Sequence, residues 1–173
     1  GQLLRDKLDD CGVDHSMSVT ADRPTTLAFV KLTDGHATYF FYDENTAGRM
    51  LTPNDLPKVT ADALFFGGIS LVVEPCGAAY EALMLREAPN RLCMIDPNIR
   101  PGFIPDAKVH RARINRMIAM ADIMKVSDED IDWITDGDKP EILVEQWLDG
   151  PTSLVLLTRG ADGSLGVRAQ GGG

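Results

Sequence analysis

The sequence predicts an α/β domain built on a doubly wound, mainly parallel sheet, with a small β lid as an appendage. Three observations carry that expectation. Short apolar and β-branched runs alternate with amphipathic segments of helix length through most of the chain. Runs ending near Asp96, Ser127 and Thr158 break into polar turns, and in open α/β sheets the carboxyl ends of parallel strands are where ligands bind. Earlier, two aromatic and β-branched runs flank Thr33-Asp34-Gly35, whose Asp-Gly pair is a hairpin signal.

At 173 residues the chain suits one domain with a proper core, and no second core is required. A net charge of −9 argues against a nucleic-acid partner, because phosphate-backbone binding needs clustered Lys and Arg and the basic residues here are scattered. Cys11, Cys76 and Cys93 show no C-x-x-C spacing and read as free thiols of a reducing cytosol. His15, His36 and His110 are equally dispersed; Cys11 and His15 have helical spacing, but no second such pair completes a metal site. No apolar run approaches the ~20 residues needed to cross a membrane, and no signal-peptide pattern opens the chain. A cytoplasmic protein without a membrane partner is expected. The chain begins at Gly1 in a helical pattern and closes on Gly171-Gly172-Gly173 after a strand, which reads as an internal piece of something longer.

Taken in order, Gln2 to Asp10 places Leu3, Leu4 and Leu8 at helical spacing, with Gly12 at the usual stop position. Thr25 to Leu32 and Ala37 to Tyr42 form the arms of the hairpin, and residues 16–45 are assigned to the lid. Four consecutive rings, Tyr39 to Tyr42, cannot all face one core; the arm is either buried on both faces or covers a partner or ligand. Thr52-Pro53-Asn54-Asp55 reads as an N-cap, a first-turn proline and a short helix. Ala63 to Phe66 is a buried strand ending in Gly67-Gly68, which permits either close backbone approach or a tight turn. Ala78 to Leu85 is a helix apolar around most of its circumference, and Leu92 to Ile95 returns as a parallel strand, completing a βαβ unit. Ile114, Met117, Ile118 and Ala121 mark the next helix, and Ile123 to Val126 the next strand. Ser127 opens a helix carrying Ile131 and Ile134; Ile142, Leu143 and Trp147 mark another; Leu154 to Leu157 and Ser164 to Val167 are the closing strands.

Three strand ends therefore offer polar groups on one sheet edge: Asp96-Pro97-Asn98-Ile99-Arg100, Lys125 to Asp130, and Thr158 to Gly163. Pro97 fixes its own φ and biases Asp96 toward extended geometry, so the first of these turns is stiff. Each also has a purely structural reading. Ser127 with Asp130 matches a helix capping box, and Ala161-Asp162-Gly163 suits a turn between adjacent strands. Convergence is what argues for a site.

Together, in this order and spacing, the segments resemble the ribokinase-like family of carbohydrate kinases, in particular its fructokinase and 2-keto-3-deoxygluconate kinase branch. Asp96-Pro97-Asn98-Ile99-Arg100 is similar to that family's D-x-N-x-R segment, and Thr158 to Gly163 to its T-x-G-x-x-G nucleotide segment. Pro24 to Val30 with Tyr42 to Ala47 looks like its lid, and Gly67-Gly68-Ile69-Ser70 like its strand end beneath the sugar. The resemblance implies an ATP-dependent sugar kinase using Mg2+, with residues 1–173 forming a single ribokinase-like fragment, incomplete at both ends. It implies that Tyr42, Phe41, Gly67, Asn98 and Arg100 meet the sugar, Arg100 also serving catalysis, with Asp96 orienting the turn. Lys125, Ser127, Thr158, Gly160 and Gly163 would meet the nucleotide. Asp130 takes the place of the glutamate in the family's N-x-x-E motif, implying an indirect influence on the metal; Ser127 and Asp130 both depart from that motif.

In relatives acting on acidic keto sugars an arginine often follows the lid tyrosine; here Asp43 stands there and would repel a carboxylate, which favours a neutral ketose such as fructose. The family's G-A-G-D segment, which carries the catalytic aspartate, is absent from the sequence, so the chain as given is expected to be inactive. A 2-keto-3-deoxygluconate or nucleoside kinase of the same fold, and a non-catalytic binding module, are the alternatives. The aromatic arm also offers a route to a homodimer through the lid.

Overall fold

The structure is a computed structural model and describes residues 1–33, 36–135 and 140–169. Helix α1 (Gln2–Asp10) buries no residue, and Leu3 is 81% exposed. The apolar spacing at 3, 4 and 8 is therefore helical, with Leu3 and Leu4 in solvent and Leu8 half-buried. Strands β1 (Leu27–Thr33) and β2 (His36–Tyr42) pair antiparallel over their whole length. The pairing of Thr33 with His36 leaves Asp34-Gly35 as the connection, and that turn itself lies outside the described residues. The expected lid span of 16–45 thus holds its strands between residues 27 and 42.

A second sheet contains β3 (Ala63–Gly67), β4 (Leu92–Asp96), β5 (Ile123–Ser127), β6 (Leu154–Thr158) and β7 (Ser164–Arg168), adjacent in that order. The first four are parallel and β7 runs antiparallel to β6. The crossovers carry α2 (Cys76–Glu87), α3 (Ala107–Ile118), then α4 (Asp128–Thr135) with α5 (Pro140–Leu148). This is the mixed, mainly parallel α/β sheet with a small antiparallel sheet that the alternation of runs implies.

Local chemistry accounts for the element ends. Asp106 caps α3 by accepting from the Val109 N–H at 3.0 Å. Thr52 and Asp55 form a reciprocal box around the short 3-10 turn Pro53–Asp55. Two elements differ from expectation. Ala121 is buried but lies beyond α3, in the turn before β5; the apolar pattern runs straight through the helix end because both sides of that end face the core. Helix α2 starts earlier than the apolar run and leaves Leu85 in solvent.

The core lies between sheet and helices. Cys93, Ile95, Met124, Val126 and Val155 from the strands, with Met84, Ile114, Met117 and Ile131 from the helices, have no exposed surface. Each such side chain contributes about 1.5–3 kcal/mol through burial, so the central strands are rigidly held and their carboxyl ends are fixed in space.

Candidate active site at the carboxyl ends of the strands

Parallel pairing puts the ends of β3, β4, β5 and β6 on one edge. Gly67 pairs with Asp96, and Ser127 with Thr158. At Gly67 the strands approach so closely that a Cβ would sit 2.3 Å from the Asp96 carbonyl oxygen. Both readings left open by Gly67-Gly68 are realised, close approach at Gly67 and the turn at Gly68. Gly68 then turns at φ +70, with the Asn98 amide nitrogen 3.9 Å from where its Cβ would be.

The turn after β4 alternates between core and cleft. Pro97 and Ile99 are buried, Asn98 is half-buried at φ +45, and Arg100 is exposed. Asparagine tolerates that left-handed backbone better than most residues, though it still costs stability unless the surroundings hold it. What holds it is Asp130. Its Oδ1 accepts the Ile99 N–H at 2.7 Å, and its Oδ2 accepts the Ser127 N–H at 3.0 Å. Ser127 Oγ accepts the Asp130 N–H at 3.0 Å, so the Ser127–Asp130 capping box is real and its carboxylate does a second, long-range job. Arg100 donates to the Ile99 carbonyl at 2.8 Å and keeps its guanidinium at the surface.

Asp96 is tied across to the next strand. Its Oδ2 pairs with Lys125 Nζ at 3.0 Å, and its Oδ1 is buried without a hydrogen-bond partner among the described residues. Lys125 is thereby tethered to the end of β4. Thr158 donates its hydroxyl to the Val126 carbonyl at 3.3 Å, and Arg159 N–H to the Gly163 carbonyl at 2.8 Å. Gly160 at φ +51 and Gly163 at φ +84 flank the 3-10 turn Gly160–Asp162 that leads into β7. The segment is thus both a hairpin connection and an exposed run of backbone at the edge of the cleft.

Among the described residues one ring contact joins the lid to this edge. Phe41 meets Phe103 edge to face, with centroids 4.9 Å apart, and Phe103 closes the 3-10 turn that follows Arg100. Successive strand residues point to opposite faces, so Tyr42 faces away from Phe41; it packs on Phe29 at 5.5 Å and is 67% exposed. Phe41 makes the ring contact with the turn, and Tyr42 lines the same aromatic cleft. An aromatic cleft of about 610 Å³ lies between the lid rings and Phe103. A larger one, about 860 Å³, lies elsewhere, among Met17, Val19, Leu56, Leu64 and Tyr80, and draws no residue from the ends of β4, β5 or β6. Size does not pick the site; the convergence of polar groups does. Asp43 pairs with Arg49 at 3.0 Å, which offsets the charge that its sequence position suggested.

Among the described residues no group of three His, Cys, Asp or Glu side chains could hold a metal ion. Asp130 is 3% exposed with both carboxylate oxygens engaged by backbone N–H groups, so its geometry does not fit a direct metal ligand.

The pfkB family carbohydrate kinases match the chain over residues 1–173. The chain belongs to the pfkB carbohydrate kinase family. It is 51% identical over 168 residues to a fructokinase of Rhizobium leguminosarum bv. trifolii, a match covering 96% of this chain and 52% of that protein. It superimposes on the fructokinase of Xylella fastidiosa with a TM-score of 0.86 at 22% identity, over 99% of this chain and 57% of that one. The fructokinase of Vibrio cholerae O395, solved with fructose, ADP and calcium ion bound, gives 0.82 at 23% identity, over 98% and 56%. The chain spans about half the length of the curated relatives it matches.

Within this pfkB family chain two contributors escaped the sequence reading. Phe103 carried no signal beyond a lone ring after a proline and a glycine. Arg113 is buried and donates to the Leu71 carbonyl at 3.0 Å and to Glu81 at 3.2 Å, and also pairs with Glu74. It occupies the space where a side chain at Gly77 would go, 2.4 Å from that missing Cβ. Arg113 thus braces the 3-10 turn Gly68–Leu71 that follows β3. A basic residue on the apolar face of α3 was the available clue.

Proposed function

We propose that this chain forms the central portion of an ATP-dependent sugar kinase acting on a neutral ketose, with fructose as the leading substrate. The observation that carries the reading is the single strand edge that gathers Gly67, Asn98 and Arg100 beside Lys125, Ser127 and Thr158, with a buried oxygen of Asp96 that has no partner among the described residues. A buried acceptor left unsatisfied costs about 1–3 kcal/mol, and a ligand hydroxyl would relieve it. The names of the relatives support the same reading.

In this scheme the sugar lies between Asn98, the Gly67-Gly68 turn and the lid ring Phe41, and the nucleotide lies along Lys125, Ser127, Thr158, Gly160 and Gly163. A sugar hydroxyl attacks the γ-phosphorus in line, a new O–P bond forms, and the bond to the ADP oxygen breaks. Arg100 offsets charge on the transferring group, and a base outside residues 1–173 takes the hydroxyl proton; alone, these residues are inactive. Mg2+ accompanies the phosphates of ATP, and no residue here is assigned to it. The lid strands expose Leu27, Phe29 and Phe40 as well as Val30 and Tyr39, which supports a homodimer formed through the lid.

The Asp43–Arg49 pair removes much of the charge argument against an acidic sugar, so 2-keto-3-deoxygluconate is the competing substrate. Turnover of fructose, 2-keto-3-deoxygluconate and nucleosides by the complete gene product, scored as ADP release with ATP and Mg2+, decides the matter. Preference for fructose supports the proposal. Preference for the keto acid or a nucleoside moves the substrate within the family, and a folded protein silent with all of them removes the kinase reading.

A further inference from the structure

The buried carboxylate of Asp130 joins two halves of the cleft that the sequence keeps 31 residues apart. From the nucleotide side it closes the first turn of α4 through Ser127. From the sugar side it takes the Ile99 N–H, the one backbone donor lying between Asn98 and Arg100. Pro97 and Ile99 are packed into the core, and this hydrogen bond adds a fixed point to the backbone between the two side chains that flank Ile99. Asn98 sits at φ +45 immediately beside it, a conformation that persists where surrounding contacts over-determine it.

We propose that Asp130 is a positioning residue that fixes Asn98 and Arg100 for phosphoryl transfer, and that it acts through the Ile99 N–H rather than through the nucleotide's metal ion. The inference rests on the sugar kinase reading for its catalytic consequence, and on geometry alone for the tie itself. Asp130→Asn replaces one acceptor with a donor, so one of the two N–H groups must lose its partner and face an N–H instead. The turn loosens by tenths of an ångström, and misplacement of that order is costly in a reaction that depends on alignment.

The test has two arms. In the complete gene product, Asp130→Asn is expected to lower kcat about tenfold while the KM for ATP and the Mg2+ concentration for half-maximal rate move less than about twofold. In an Arg100→Ala background the same change should cost clearly less than in the wild-type protein, because the part expressed through Arg100 cannot be lost twice and only the part expressed through Asn98 remains. A shifted Mg2+ dependence, or costs that simply multiply, would overturn the proposal in favour of a metal-linked role. The second arm needs neither activity nor a variant. In the wild-type protein the Ile99 amide should exchange with solvent on the order of a hundredfold more slowly than an unprotected amide, and stay so when Mg2+ and a non-hydrolysable ATP analogue are added. Fast exchange, or protection lost on adding the metal nucleotide, refutes the tie. A protected Ile99 amide in a protein without sugar kinase activity would fault the function and leave the tie standing.

Discussion

At the ends of β4 and β5 the polar side chains are held by named partners: Asp130 by two backbone N–H groups, Lys125 by Asp96, and Arg100 by its own neighbouring carbonyl. In the hairpin β1–β2 the opposite holds. Every residue of β1 is exposed, and Phe40 and Tyr42 of β2 are too, with Phe41–Phe103 the ring contact to the main sheet. A two-stranded ribbon without a covered face is marginal on its own, so the hairpin gains order from what it touches. The contrast teaches a division of labour. The strand edge is preorganised by its buried partners, and the lid leaves most of its rings in solvent.

The sharpest way to break the rigid half is Gly67→Ala. Its Cβ would need to occupy space 2.3 Å from the Asp96 carbonyl, so β3 and β4 must part; we expect a loss of about 1–3 kcal/mol, read as a lower Tm, together with loss of sugar binding in titration calorimetry. Next comes Arg100→Ala, whose exposed side chain gives up a part-buried hydrogen bond to the Ile99 carbonyl, a small loss to the fold. The expected outcome is a fall in kcat of roughly tenfold or more with the Tm unchanged, and unaltered turnover across the sugar panel would take Arg100 out of the site. In the lid, Phe41→Ala should raise the KM for sugar by about a few-fold, since only the weak edge-to-face contact worth about 0.5–1.5 kcal/mol is lost. A change in Tm comparable to that of Gly67→Ala would show the lid to be structural instead.

The smallest effect concerns pH. His110 is buried against Trp133, and burial followed by the nearby Arg113 charge pushes its pKa below the usual histidine value, against a smaller opposing pull from the Leu71 backbone. The unfolded chain therefore binds the extra proton first. Stability from the neutral ring is present in full above about pH 6.5 and is lost as pH falls from there through the depressed folded value. Thermal melts between pH 7.5 and 5 should show this fall, and His110→Phe should flatten it. An unchanged slope in the variant would assign the acid sensitivity to other groups.

Much of the sheet was legible in the sequence because its signals are local. Apolar runs of strand length, the stop at Pro97, the Ser127–Asp130 box and the glycines at 160 and 163 each declare themselves within a few residues. The placement of Asn98, Arg100, Lys125 and Thr158 on one edge follows from parallel pairing alone. Contacts between distant residues were not legible. Nothing near Asp130 points to Ile99, nothing near Gly77 announces the Arg113 guanidinium, and the partner that turns Asp43 from a bare charge into an ion pair is Arg49. The lid rings were visible as composition, yet which of Phe41 and Tyr42 faces the body depends on register, and a shift of one residue exchanges them.

The most direct test of the central claim is a crystal structure of the complete gene product with fructose and a non-hydrolysable ATP analogue. The sugar is expected within hydrogen-bond reach of Asn98 and the Gly67-Gly68 turn, with the terminal phosphate between it and Arg100 and the rest of the nucleotide along Lys125 and Thr158 to Gly163. Ligands seated instead in the cleft among Met17, Val19, Leu56 and Tyr80, away from the ends of β4 to β6, would contradict it.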